Sequence, residues 1–158
     1  NLFTASVAAW VASRFEATVS QVVMLAFLMS IIAGIGGNSG NQTMTLVIRA
    51  LALGQISIAN VRQLMLRELS TSALIGLGGG GIAALFAWWI SSSWGLGAVM
   101  WAAMVCNLIV GATVGMLVPL ARYRFGRDPA VGSSVLLTFA TDTLGFFIFL
   151  GLASLFLT

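Results

Sequence analysis

One carboxylate stands where its surroundings are otherwise apolar. Asp142 lies thirteen residues after Pro129 and sixteen before Thr158, and the interval 129–158 holds no other charge. An ionisable group near the centre of a membrane helix costs roughly 2.5–3.5 kcal/mol to insert, so it is a functional candidate that should face an interior or a water-filled path. Ser134, Thr138, Thr141, Asp142 and Gly145 recur at three- and four-residue spacings, one polar stripe on a helix of Val, Leu, Phe and Ile. The alternative is a buried acid that bonds a neighbouring helix as packing glue.

A second constellation is the run Gly34-Ile35-Gly36-Gly37-Asn38-Ser39-Gly40-Asn41-Gln42-Thr43, with four glycines, two Asn, a Gln and two hydroxyls in ten residues. These are poor helix formers and unwelcome in lipid, which predicts a kinked or unwound backbone buried against protein or water. The oxygens around Gly34, Gly37, Asn38 and Asn41, with waters and a carboxylate, suit a hard cation such as Mg²⁺, which keeps much of its hydration shell. A glycine surface for close helix packing explains the run equally well. A phosphate-cradling loop does not fit, because the chain has no Lys and no strand–loop–helix context surrounds the run.

The elements that must hold these groups follow from composition. Of 158 residues, 59% are hydrophobic and 7% charged, with mean hydropathy +1.06; soluble domains carry about 25% charged residues. The chain therefore reads as an all-α polytopic membrane protein in a lipid bilayer. It has no His and one Cys, Cys106, which removes His-based catalysis, the usual zinc sites and any internal disulfide, so an enzyme is not expected. Its seven basic residues are all Arg, spread over loops, and no nucleic-acid partner is expected.

A spanning helix needs about 20 mostly apolar residues. The uncharged intervals predict five transmembrane helices, at about 1–14, 18–48, 70–90, 97–120 and 130–157, the second interrupted by the Gly/Asn-rich segment. The Ser91-Ser92-Ser93 cluster beside Trp88, Trp89 and Trp94 marks a turn at an aromatic interface. The first span is short, and a further segment is expected before Asn1. Arg49, Arg62 and Arg67 follow the second helix and Arg122, Arg124 and Arg127 the fourth, which predicts a cytoplasmic N-terminus and an external C-terminus. Residues 55–68 set Ile58, Val61 and Leu64/Met65 at helical spacing beside Arg62 and Arg67, an amphipathic helix on the membrane surface or a plain charged connector.

Weaker signals are Asn107, Gly111 and Gly115, spaced by four, which favour close helix packing, and seven scattered methionines that act as core filler. Glu16 is expected as a solvated charge at the external mouth. Because only one acid lies within a span, a carboxylate pair requires two chains; a homodimer would place two Asp142 side chains opposite one divalent cation at a shared axis.

The run GGNSGNQTMTLVIRALALGQI (36–56), the five-span layout and ATDTLGFFIFLGLA (140–153) resemble the transmembrane domain of the MgtE magnesium channels over nearly the whole chain. The resemblance implies a homodimer of five helices per subunit, with the second and fifth lining a pore at the dimer axis and Asp142 meeting hydrated Mg²⁺. It also implies pore roles around Asn38 and Thr138, and a cytoplasmic N-terminal regulatory region with a CBS pair that this chain does not include. Two departures stand out: the family commonly has Pro where Ser30 stands and near Val135, which bears on helix bends and pore width. The expected function is a magnesium-selective channel, with Asp142, Thr138, Thr141 and Asn38 holding the ion and Gly34, Gly37, Asn41, Ser134 and Gly145 completing the pore lining. A proton- or sodium-coupled divalent cation exporter and a non-transporting membrane assembly subunit remain the alternatives.

Overall fold

A computed structural model describes the backbone of residues 1–158 and every side chain except that of Ile58. The described residues form helices only: α1 (Leu2–Ser13), α2 (Glu16–Gln21), α3 (Met24–Ala52), α4 (Ile58–Ser91), α5 (Trp94–Arg124) and α6 (Ser133–Phe156). By length and composition α4, α5 and α6 can each cross a membrane, whereas α1 is a shorter apolar helix of 12 residues. α3 has 29 residues, about 43 Å at 1.5 Å per residue, but carries the Gly/Asn/Gln segment.

The expected interruption of the second span falls elsewhere. Gly34–Thr43 is continuous α-helix, and the break comes earlier, at Val22–Val23 between α2 and α3. The reason lies in which face the glycines occupy. Gly36 and Gly40 press against α5, where a Cβ built on Gly111 would stand 2.6 Å from the Gly36 carbonyl oxygen. Packing of that closeness offsets the poor helix propensity of glycine, and an unbroken helix keeps every backbone group bonded.

Residues 55–68 likewise form no separate surface helix. From Ile58 they are the first turns of the 34-residue α4. Leu64, Met65 and Leu69 pack against Val47, Leu51 and Met116, so the apolar side of this segment covers the ends of α3 and α5 and does not lie on lipid; the side chain of Ile58, expected on that side, is outside the described residues. The start of α4 is capped by Ser57 and Asn60, the Ser57 N–H donating to Asn60 Oδ1 at 2.7 Å. The chain then turns at Ser92–Ser93, with Ser92 in the left-handed region at φ 54° and Ser93 Oγ accepting from the Leu96 N–H at 3.3 Å.

α5 is the centre of the bundle, touching α3, α4 and α6. Met100, Met104 and Leu108 of α5 meet Leu25, Leu28 and Ile32 of α3 and Phe149 and Leu150 of α6 in the main apolar core. Gly111 and Gly115 meet Gly36 and Gly40 in the same order along both helices, so α3 and α5 run parallel. Six arginines collect at one end of the bundle, at the end of α3, the start of α4 and the end of α5 with its following loop. Glu16 and the stacked Trp88–Trp94 pair, 4.6 Å between ring centroids, belong to the α2, α4 and α5 termini at the other.

Candidate functional site

Asp142 is the tenth of 24 residues in α6 and half-buried. Its own helix carries no second charged residue, so Asp142 has no partner of opposite sign there. One and two turns earlier on the same helix, Thr138 and Ser134 are exposed. On α3, Asn38 and Gly34 are exposed and Asn41 and Gly37 half-buried.

The two helices touch antiparallel. Leu137 Cδ1 lies 2.7 Å from the Cβ position of Gly40, Thr141 Oγ1 lies 3.6 Å from that of Gly37, and Gly36 and Gly145 share the side chain of Asn107. In antiparallel helices, residues displaced from the contact position in the same rotational sense point to the same side of the pair. Asn38 follows Gly37 by one residue and Asp142 follows Thr141 by one, about 100° in each helix. Asn38, Thr138 and Asp142 therefore share one flank of the α3–α6 seam.

Not every residue of the expected stripe reaches that flank. Thr141 is fully buried, its hydroxyl donating to the carbonyls of Leu137 at 3.1 Å and Thr138 at 3.3 Å. Gly145 is buried against Asn107. Both belong to the packing between helices of the chain, where the absence of bulk at Gly145 is what admits the neighbour.

Two further polar positions extend the exposed stripe and were not singled out from sequence. Gln42 and Thr45 are exposed on α3, and with Asn41, Leu46 and Arg49 they line an open groove of about 480 Å³. Their signal was spacing: Asn38, Gln42, Thr45 and Arg49 continue at four, three and four residues. Among the described residues no three His, Cys, Asp or Glu side chains gather as a metal site. A cation at this flank would meet one carboxylate per chain together with amide and hydroxyl oxygens, a donor set that suits a hydrated hard cation.

Residues 29–152 match the family model MgtE, described as a divalent cation transporter. The chain is 31% identical to the magnesium transporter MgtE of Bacillus subtilis (strain 168) over 160 aligned residues, covering 99% of this chain and 35% of that protein. Similar proteins of the same name occur in Enterococcus faecalis (32% identity, 99% and 34% covered) and Thermus thermophilus (31%, 99% and 34%). The chain spans about a third of the length of these relatives. The matched region takes in the Gly34–Thr43 run and Asp142 alike. On this match, and on a helical architecture suited to a bilayer, the chain belongs to the MgtE family of divalent cation transporters.

Proposed function

We propose that the chain is the conducting domain of a magnesium channel that crosses the membrane five times per subunit and works as a homodimer. The observation that carries this reading is the polar flank of the α3–α6 seam. Gly34, Asn38, Ser134 and Thr138 are exposed and Asp142 is half-buried on helices whose other faces are apolar. Polar groups on a membrane helix face protein or water and not lipid, and a second copy of the same flank closes a polar path at a two-fold axis.

Two Asp142 carboxylates then face one divalent cation. Asn38, Asn41 and Thr138 hold its waters, while Thr141 supports the turn that carries Asp142. Preference over monovalent ions comes from paired negative charge, and preference over Ca²⁺ from cavity size and retained hydration. The arginine-rich end is cytoplasmic, which places Asn1 inside and Thr158 outside. That the relatives are magnesium transporters supports Mg²⁺ as the transported ion.

The test is Mg²⁺ uptake into proteoliposomes by wild type and Asp142→Asn, both confirmed as folded dimers, with pH and Na⁺ gradients applied and removed. Gradient-independent uptake that the substitution abolishes is the expected result. Uptake that needs a counter-gradient identifies an exporter, and equal uptake by both proteins returns Asp142 to a packing role.

A further inference from the structure

Asn107 sits where α3, α5 and α6 meet, and none of its surface reaches solvent. Its Nδ2 donates to the Ile32 carbonyl on α3 at 2.9 Å, while Oδ1 is buried with no partner. The amide fills the volume above two glycines of different helices. A Cβ on Gly145 of α6 would stand 2.8 Å from Nδ2 and 3.1 Å from Oδ1, and one on Gly36 of α3 would overlap the amide outright.

Packing alone does not explain the residue type. A half-satisfied amide buried in an apolar junction is costly, and an apolar side chain such as leucine, with the same branched skeleton, would leave no orphaned acceptor there. The position matters for the site described above: Gly36 is two residues before Asn38, and Gly145 is three after Asp142. Asn107 thus acts on both helices within one turn of the residues on the polar flank, as a spacer of fixed thickness between them and as a hydrogen bond that holds α3 in rotation.

We infer that Asn107 is a positioning residue for the ion path. It sets the separation and rotation of α3 against α6, and thereby the spacing between Asn38 and Asp142 that a hydrated Mg²⁺ must match. This rests on the reading of that flank as the conduction path. Selectivity is the property it controls, because a hydrated ion held through its waters is sorted by the spacing of the groups that touch those waters.

The test compares Mg²⁺ and Ca²⁺ uptake by the full-length protein in proteoliposomes for wild type, Asp142→Asn, Asn107→Leu, Gly36→Ala and the double variant Gly36→Ala/Asn107→Ala. Asn107→Leu keeps the branched skeleton and removes the bond to Ile32. It is expected to assemble as wild type does and to lose about tenfold in Mg²⁺-over-Ca²⁺ preference, the size typical of losing a group that orients ligands. Gly36→Ala alone should fail in assembly or uptake. Removing the Asn107 amide in the double variant makes room for the new methyl, so uptake should return while the preference for Mg²⁺ stays low. A wild-type Mg²⁺:Ca²⁺ ratio in Asn107→Leu, or in the double variant should Asn107→Leu not assemble, overturns the inference and leaves the conduction path intact if Asp142→Asn is inactive. Uptake unaffected by Asp142→Asn overturns the conduction path, and this inference with it.

Discussion

Gly115 of α5 lies against Gly40 of α3 so closely that a Cβ on Gly115 would stand 2.5 Å from the Gly40 carbonyl oxygen. Four residues earlier Gly111 meets Gly36 in the same way, at 2.6 Å. The obstructing atoms are backbone, so nothing nearby can rotate aside. Gly111→Ala and Gly115→Ala should each cost about 1–3 kcal/mol, the usual penalty for overpacking, read from unfolding in detergent. Gly78 and Gly79 of α4 have no atom within 4 Å of a new Cβ. Alanine there should be neutral or stabilising by up to roughly 1 kcal/mol, through helix propensity alone.

Thr138 and Thr141 are three residues apart and separate two roles. Thr138 is exposed on the polar flank, whereas Thr141 is buried and bonded to its own helix. Thr138→Val should leave thermal stability within about 0.5 kcal/mol of wild type, as surface changes do, while lowering Mg²⁺ uptake. Thr141→Val keeps shape and orphans no donor, so its effect on uptake should be the smaller of the two. Uptake assays paired with melting curves on both variants decide the matter.

Accessibility offers an independent check on which face is wet. Cys106 is exposed on α5, next in sequence to the buried Asn107. Facing lipid, its thiol is out of reach of charged, membrane-impermeant reagents and should resist them. In a Cys106→Ser background, Asn38→Cys or Thr138→Cys should react with those reagents, and added Mg²⁺ should slow the reaction. Labelling of Cys106 at a comparable rate would contradict the assignment of faces.

A polar clamp joins α3 to α4. Thr43 Oγ1 donates to Glu68 Oε2 at 3.3 Å in a partly buried setting. Thr43→Val leaves that carboxylate without its donor and should destabilise by about 1 kcal/mol. A double-mutant cycle with Glu68→Ala, which removes the acceptor, should return a coupling of roughly 0.5–1.5 kcal/mol; zero coupling would show the contact to be incidental.

The membrane class and the helical bundle were legible in the sequence, because a scarcity of charge across long apolar stretches is a signal that survives without tertiary context. The Gly34–Thr43 run was legible as special but misread in form. Its glycines look like helix breakers until their partners on α5 are known, and then they are the means by which α3 stays helical. The break at Val22–Val23 had no composition signal, lying in an apolar stretch without Gly or Pro. The role of Thr141 was equally hidden: helical spacing places it beside Thr138 and Asp142, and only the contact with Gly37 shows that it turns inward. Asn107 was visible as a packing residue, but its place between Gly36 and Gly145 depends on three helices far apart in sequence.

With 34 residues α4 is about 51 Å long, well beyond the roughly 30 Å hydrocarbon thickness of a bilayer. It is one continuous helix, and its first turns carry Arg62 and Arg67. A Cβ on Gly76 would lie 3.1 Å from Val105 Cα and one on Gly97 3.0 Å from the Ala84 carbonyl oxygen, so α4 and α5 touch backbone to backbone at two points. Tilting the two helices together is one response to a bilayer of different thickness, alongside deformation of the bilayer itself. Any such tilt would act on α5, the helix that also contacts α3 and α6.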